Sequence, residues 1–228
     1  MSERLAPTEG LGVLHLFCKL GGGTDAEAVA AVVKGWPDGE HQVVPISVLG
    51  HKADVGFLAL GPDWVRLRGL QAGLQRAGLE VADSYVSLTE VSEYARASVD
   101  KQLLSPRLYP KLPPAGKRAF CFYPMSKRRG DSYNWYTLDF EARRELMADH
   151  GRSGRRFAGR ILQLVTGSTG IDDWEWGVSL FGEHPDDLKE CVYTMRYDEA
   201  SARYAEFGPF YAGVVGDLEE VLEQVGLR

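Results

Sequence analysis

The chain has 228 residues, of which 44% are hydrophobic and 25% charged, and this is the composition of an ordinary globular protein. Its net charge of -6 argues against nucleic acid as a partner, because nucleic-acid-binding proteins are usually basic. No apolar run is long enough to span a bilayer, and the N-terminal MSERLAPTEG lacks the pattern of a signal peptide. We therefore expect a cytoplasmic protein without a membrane partner.

The first 94 residues alternate between strand-like and helix-like patterns. Asp25 is the predicted N-cap of the first helix, and Gly78 ends the second. The predicted elements are strands at 12–20, 41–50, 53–61 and 81–94, and helices at 25–36 and 63–78. Their order along the chain is β-α-β-β-α-β.

Residues 95–117 contain several prolines and little periodicity, which predicts a linker. The same order of elements then repeats, with one additional short helix in the stretch 198–208. The predicted elements of this second half, 118–228, are strands at 118–127, 159–167, 174–181 and 209–216, and helices at 139–151 and 184–196.

Two successive βαββαβ units predict an α+β chain made of two ferredoxin-like halves. The helices of such a unit cover one face of its antiparallel sheet and leave the other face to be buried. We expect the two sheets to bury these faces against each other, either as two layers or as a distorted barrel. This is the arrangement of a dimeric α+β barrel within one chain.

Cysteine and histidine spacing predicts no disulfide framework and no zinc site. The three cysteines, Cys18, Cys121 and Cys191, are scattered and form no CxxC pair. The five histidines lie far apart in sequence. We expect the cysteines to be reduced thiols in the core.

His150 is a polar residue where the helical pattern favours an apolar one. It shares a predicted face with Leu146 and Met147, so its imidazole is expected to point towards the interior. The simpler interpretation is a histidine in the last turn of a helix that Gly151 ends in a left-handed conformation. The pattern alone leaves both interpretations open.

Gln163 is a second such residue. It shares a strand face with Ile161 and Val165, while Leu162 and Leu164 occupy the other face. A buried glutamine needs hydrogen-bond partners, because leaving one unmade costs about 1–3 kcal/mol. The alternative is a glutamine at a strand edge that bonds to a neighbouring backbone.

Tyr123 lies in a strand that leads into a cationic and aromatic stretch. The stretch contains the cations Lys127, Arg128 and Arg129 and the aromatic residues Tyr133, Trp135 and Tyr136. Most charge runs are simply solvated. An aromatic wall beside a basic rim also suits a large, flat, anionic ligand.

A porphyrin is such a ligand, and histidine is a common axial ligand of its iron. Arg107 and Arg196 would supply guanidinium groups, which bind carboxylates in a bidentate fashion. These residues, together with His150, Gln163 and Tyr123, are then the candidate members of one site.

Four long motifs of the second half resemble the chlorite-dismutase-like superfamily, and within it the coproheme decarboxylase branch. The motifs are CFYPMSKRRGDSYNWYTL, LMADHGRSGRRFAG, DDWEWGVSLF and MRYDEASARYAEFGPFYAG. The resemblance covers residues 103–214 densely, whereas the first half matches only in its order of elements and in GHKAD. It implies the same tandem ferredoxin-like fold and a homopentamer.

The resemblance also implies a role for each candidate residue. His150 matches the proximal iron ligand and Gln163 the distal glutamine. Tyr123 matches a tyrosine that forms a radical, and Lys127 a lysine that positions the reacting propionate. Propionate-binding positions are matched by Ser105, Arg107, Arg196 and Ser201, and pocket-lining positions by Met125 and Trp135.

The activity implied is the hydrogen-peroxide-dependent oxidative decarboxylation of two propionates of iron coproporphyrin III (coproheme). It yields vinyl groups, and thereby haem b, through a tyrosyl radical. Coproheme serves as substrate and redox centre, so no other cofactor is expected. A transient contact with the coproporphyrin ferrochelatase is a further expectation.

Two departures and one rival accompany this interpretation. Chlorite-degrading relatives carry a distal arginine where this chain has Gln163, which argues against chlorite as the substrate and makes chlorite dismutase or peroxidase activity the less favoured alternative. Some relatives carry a distal histidine before the tyrosine strand, but LLSPRLYPKLPPAGKRAF contains none, so no distal base is identified. The rival is a non-catalytic haem carrier or sensor, which would need His150 and the arginines but not the pair Tyr123 and Lys127.

Overall fold

The computed structural model describes residues 4–96 and 101–227. In these parts of the chain the strands are β1 Gly12–Leu20, β2 Gln42–Leu49, β3 Val55–Gly61, β4 Leu79–Thr89, β5 Ala119–Lys127, β6 Ile161–Gly167, β7 Trp176–Gly182, β8 Ala205–Phe207 and β9 Tyr211–Val215. The helices are α1 Ala26–Lys34, α2 Trp64–Arg76, α3 Glu93–Arg96, α4 Lys101–Leu108, α5 Phe140–Arg155, α6 Pro185–Met195, α7 Glu199–Ala202 and α8 Leu218–Gln224. A short 3-10 helix covers Trp135–Thr137.

Both halves have the antiparallel strand order of a ferredoxin-like unit. In the first half the order is β4-β1-β3-β2, and in the second it is β6-β7-β5-β9. The fold class predicted from the sequence is therefore confirmed.

The two sheets join edge to edge and close into a barrel. Strand β4 pairs with β6 through Leu88 opposite Gly167, and β2 pairs with β9 through Ile46 opposite Val215. Eight strands thus form a closed ring, and β8 extends the β9 side of β5. Closure leaves these eight strands without a free sheet edge, which is why the barrel is preferred over two open layers.

The barrel interior is filled by large apolar side chains from both halves. Its best-buried members include Phe17, Phe120, Phe122 and Phe181. Helices α1, α2 and α8 cover the outer face of the first half. On the second half α6 packs directly on the outer face, through Leu188 and Val192.

Several boundaries differ from those predicted, and the most important concerns His150. Helix α5 continues to Arg155, so the expectation that it ends at Gly151 was wrong. Gly151 does not take a positive φ and instead continues the helix, whereas Gly159 takes φ 86° beyond its end. His150 therefore lies inside the helix, and its position is not a consequence of helix termination.

The segment predicted as a linker contains helix α4, although its residues 97–100 lie outside the described part. The predicted strand at 81–94 ends at Thr89, where its pairing with β6 ends. Strand β8 and helix α8 were not predicted, because each is short and gains its order from neighbours. Leu218, Val221 and Leu222 of α8 are buried against the first half.

The described cysteines are buried and form no disulfide, as expected. Burial raises the pKa of the Cys18 and Cys121 thiols to about 12. No helix in the described ranges is long and apolar enough to cross a membrane.

The barrel interior also holds one histidine, His15, which is almost wholly inaccessible. Its Nε2 lies 2.8 Å from the Ser179 hydroxyl, and its ring packs against Phe122 at 4.1 Å between centroids. Its Nδ1 has no hydrogen-bond partner within the described residues. Burial lowers the pKa of His15 from 6.5 to about 3, so the folded protein holds it neutral.

This histidine should make the protein sensitive to acid. Between the unfolded pKa of 6.5 and the folded value of about 3, the unfolded chain binds a proton that the folded chain does not. The contribution of the neutral His15 to the free energy of unfolding is therefore complete above pH 6.5. It is lost as the pH falls towards 3. We expect His15→Gln to reduce the slope of unfolding free energy against pH by about 1.4 kcal/mol per pH unit between roughly pH 6 and 4.

Urea unfolding at a series of pH values measures this slope. The matched control is His51→Gln, in the exposed turn between β2 and β3. Equal slopes in the two variants would contradict the assignment to His15.

Candidate functional site

The outer face of the second half is only partly covered by helices. Helix α5 makes its main contacts with α6 and α7 rather than with the sheet, and none of its 16 residues is fully buried. On the sheet itself, Gln163 and Val165 of β6 are exposed. The outer sheet face at β6 and the amphipathic helix α5 are thus both partly accessible, and both belong to the second half of the chain.

His150 of α5 is fixed by a carboxylate from α7. Its Nδ1 lies 3.0 Å from Asp198 Oδ2, and the imidazole is about one third exposed. Because an ionised carboxylate only accepts hydrogen bonds, Nδ1 is the donor in this contact, and in a neutral imidazole Nε2 then has the lone pair. This is the arrangement by which carboxylates orient metal-binding histidines.

Asp198 is itself held by the start of helix α7, of which it is the N-cap. The Ser201 backbone N–H donates to its Oδ1 at 3.0 Å, and the Ser201 hydroxyl donates to its Oδ2 at 3.1 Å. Burial opposes ionisation of Asp198, but the hydrogen bonds from His150 and Ser201 outweigh it, and the pKa lies below its usual range. Ser201, predicted to bind a propionate, thus has its hydroxyl on Asp198.

Tyr123 lies almost completely buried on the outer face of β5. Its ring stacks on Phe210 at 4.6 Å and meets Phe207 edge-on at 5.7 Å between centroids. Its hydroxyl makes no hydrogen bond with the described residues. Burial raises the pKa of Tyr123 above its usual value, so the phenol is protonated at neutral pH.

Lys127 is buried at the end of the same strand. Its ammonium donates to the carbonyl oxygen of Ala200 at 3.0 Å and lies 4.2 Å from the centre of the Trp135 ring. Burial lowers the pKa of Lys127 to about 8, while Asp198 and Glu175 oppose this change. With one N–H engaged, the ammonium retains donors for an anionic ligand.

Arg196, just beyond α6, is a cation available near Tyr123. Its guanidinium carbon lies 4.9 Å from the centre of the Phe207 ring. Among the described residues it has no ion-pair partner. A carboxylate of a ligand therefore meets no competing acid at this guanidinium.

Strand β5 carries three of the predicted site residues. Tyr123, Met125 and Lys127 alternate along it and share its outer face. The register through β7 places Gln163 opposite Leu180, which is opposite Cys121, and so on the same face. Helix α7 connects the remaining residues. Lys127 contacts Trp135 and the Ala200 carbonyl oxygen of α7, and Ser201 of the same helix bonds to Asp198, which bonds to His150.

Two predicted residues make no contact with this group among the described residues. Ser105 and Arg107 are exposed on α4, whose last residue Leu108 is anchored by a hydrogen bond from the Thr89 hydroxyl to its carbonyl oxygen at 2.8 Å. Their propionate-binding role stays a prediction.

Sequence reasoning missed Asp198 and Glu175. Asp198 stands three residues before Ser201, which is a recognisable N-cap spacing, but its bond to a histidine 48 residues away has no local signal. Glu175 is a charged residue between Trp174 and Trp176, and that flanking is the only sign that it is buried.

The residues present suit a metal that arrives inside a macrocycle. In the described ranges no group of three or more histidine, cysteine, aspartate or glutamate side chains could hold a free metal ion. One oriented imidazole, an available guanidinium and accessible apolar surface match an iron porphyrin, whose ring supplies the other four ligands.

Known proteins share both the sequence and the fold. The chlorite dismutase family model matches residues 24–216. A coproheme decarboxylase of Staphylococcus carnosus is 43% identical over 204 residues, covering 85% of this chain and 79% of that protein. One of Thermus thermophilus is 40% identical over 210 residues, covering 88% and 84%.

A Natronomonas pharaonis protein whose name includes "heme-binding protein" is 42% identical over 206 residues. The match covers 84% of this chain, but this chain spans only 34% of that longer protein. A solved structure described as a novel heme-binding protein of Thermus thermophilus has a TM-score of 0.88 and 36% identity, covering 98% of this chain and all of that one.

A mutant chlorite dismutase of Candidatus Nitrospira defluvii has a TM-score of 0.77 but only 18% identity, and this likeness concerns the fold alone. Fold and site together define a barrel of two ferredoxin-like halves with an oriented histidine beside the second sheet. The chain belongs to the chlorite dismutase family. Its relatives named coproheme decarboxylase are enzymes.

Proposed function

We propose that this protein decarboxylates two propionates of coproheme with hydrogen peroxide and so produces haem b. The observation that carries the proposal is the placement of Tyr123 and Lys127 on one face of β5, the first with an unpartnered hydroxyl among the described residues and the second with an available ammonium. The coproheme decarboxylases among its relatives support the same substrate.

The chemistry of one step balances with a single peroxide. A propionate, hydrogen peroxide and one proton give a vinyl group, carbon dioxide and two water molecules. The two electrons that leave the propionate reduce the peroxide. Bound coproheme would supply the iron at which this reduction occurs as well as the propionates that react.

Tyr123 is assigned the transfer of oxidising equivalents to the propionate. It loses an electron and its phenolic proton, and the resulting radical takes a hydrogen atom from the propionate β-carbon. Loss of carbon dioxide and of a second electron leaves the vinyl group. Phe207 and Phe210 enclose the ring, which excludes water from the radical.

Lys127 and Arg196 are assigned the binding of carboxylates. The ammonium of Lys127 would hold the reacting propionate in line with Tyr123, which raises the rate by positioning. Ser105 and Arg107 are proposed to hold further propionates, and Met125 and Trp135 to line the pocket.

His150 is assigned the role of proximal iron ligand through Nε2, with Asp198 orienting the ring. Gln163 would lie on the distal side. By the same resemblance we expect a cytoplasmic homopentamer that receives coproheme through transient contact with the coproporphyrin ferrochelatase. A non-catalytic haem carrier is less well supported, because it has no use for Tyr123 and Lys127.

The first experiment adds hydrogen peroxide to the purified protein with iron coproporphyrin III and follows the porphyrin by mass spectrometry. We expect stepwise loss of two carboxyl groups. Tyr123→Phe should bind the porphyrin but lower the decarboxylation rate by about 100-fold or more, because phenylalanine cannot supply the hydrogen-atom transfer.

Tyr193→Phe on the exposed side of α6 is the matched control and should retain full activity. Porphyrin binding followed only by ring bleaching in the wild-type protein would identify a carrier instead. Full turnover by Tyr123→Phe would remove the radical role from that residue.

A second prediction concerns the proximal side. Asp198→Asn retains a hydrogen-bond acceptor for His150 but loses the charge that makes the imidazole a stronger ligand. We expect affinity for iron coproporphyrin III to fall by about 10- to 100-fold, as is typical when such a partner of a metal ligand is changed. Absorbance titration in the Soret region measures this affinity.

The control is Asp149→Asn. Asp149 is an exposed residue of α5, the helix that carries His150, and it pairs with Arg152. Equal affinities for the Asp198→Asn and Asp149→Asn proteins would show that the Asp198 bond does not act on a bound iron.

A further inference from the structure

Glu175 is a buried carboxylate next to the site. It stands immediately before β7, and only 5% of its surface is exposed. Glutamate is rarely buried to this extent unless its charge is paired and its oxygens accept hydrogen bonds. Its surroundings therefore show what it stabilises.

The two carboxylate oxygens bind the last residue of β5 and the segment that follows it. Oε2 accepts the backbone N–H of Lys127 at 2.8 Å, and Oε1 lies 3.2 Å from Nη2 of Arg129. The Glu175 backbone N–H in turn donates to the Ser126 hydroxyl at 3.2 Å. Three contacts thus tie the end of β5 to Glu175.

Strand pairing explains why a side chain is needed here. The last pair between β5 and β7 is Met125 opposite Trp176, so Lys127 lies two residues beyond it. Its backbone N–H has no β7 carbonyl to bind, and the Glu175 carboxylate takes that place. The position of Lys127 on this side therefore depends on a residue outside the strand.

The ammonium of Lys127 makes contacts of its own. It reaches the carbonyl oxygen of Ala200 and the face of Trp135. The charges of two carboxylates, Asp198 at the start of α7 and Glu175 in the loop before β7, favour its charged form and oppose the effect of burial on its pKa.

We propose that Glu175 is a positioning residue for Lys127. Its carboxylate fixes the backbone at the end of β5 and sustains the positive charge of the ammonium on the face that carries Tyr123. The inference rests on the propionate-binding role proposed above for Lys127. Glu175 touches no reacting atom and acts only through the lysine.

The test separates the charge of Glu175 from its hydrogen bond. Glu175→Gln keeps the shape and an acceptor for the Lys127 N–H but removes the charge. The matched control Glu206→Gln removes one charge from β8, where the carboxylate is exposed and pairs with Arg128. Circular dichroism establishes that both variants are folded.

The first readout is the titration of Lys127 in the ligand-free protein. It is followed by NMR on protein labelled with carbon-13 in lysine, with the signal assigned by its loss in Lys127→Met. The wild-type midpoint is expected near pH 8. Glu175→Gln should lower it by about half a pH unit or more, since a charge close to a buried ammonium is lost.

The second readout is the pH profile of coproheme decarboxylation. The decarboxylation rate should decline at high pH as Lys127 loses its proton. In Glu175→Gln this decline should begin at a lower pH, by the same shift as that of the Lys127 midpoint. Below that pH the rate should be close to that of the wild-type protein. Glu175→Ala, which also loses the acceptor, should be slower at every pH. Glu206→Gln should leave both readouts unchanged.

An unmoved Lys127 midpoint in Glu175→Gln, or an equal movement in Glu206→Gln, would overturn the proposal. Failure of the wild-type protein to form any vinyl product would instead overturn the proposed function, and the lysine titration would still decide the action of Glu175 on Lys127.

Discussion

The structure depends on one constraint, which is that each four-stranded sheet has two apolar faces and can bury only one of them inside the barrel. The outer face of the first half is covered by α1, α2 and α8. The second half has α6 on its sheet, while α5 packs mainly on α6 and α7. This unequal covering leaves part of the outer sheet face of the second half accessible at β6, and the candidate site lies on that half.

Strand β5 connects the barrel core with the candidate site. Its alternate residues Phe120 and Phe122 fill the barrel, and the residues between and beyond them, including Tyr123, Met125 and Lys127, face outwards. The strand pairs with β7 on one side and with β8 and β9 on the other. Site residues on such a strand are held by the core, so little ordering remains to be done when a ligand binds.

Periodicity in the sequence was sufficient to predict the two βαββαβ units, because long amphipathic elements carry their own signal. The barrel itself was one of two expected packings, and the β4–β6 and β2–β9 pairings that decide it involve few residues. Helix α5 was predicted to end at Gly151, yet it continues because glycine tolerates the helical conformation where neighbouring turns support it. Local rules describe such a position poorly.

The site was predictable to a similar depth. The sequence patterns placed Tyr123 in a strand and marked His150 as a polar residue at a position that favours an apolar one, and the family resemblance then implied roles for both. The partners that orient these residues could not be read in this way. Asp198 reaches His150 from 48 residues away, and Glu175 reaches Lys127 across the same distance, so only the folded chain brings each pair together.

Helix α5 also has a consequence for the stability of the protein. A helix of 16 residues with no fully buried side chain contributes little apolar burial to the fold, and such elements open locally at low cost. A flat apolar ligand between this helix and the sheet would complete the hydrophobic core, and its binding energy would add to the stability of the folded state. Local opening of α5, and with it the access of proteases to this helix, would then be rarer in the ligand-bound protein than in the ligand-free one.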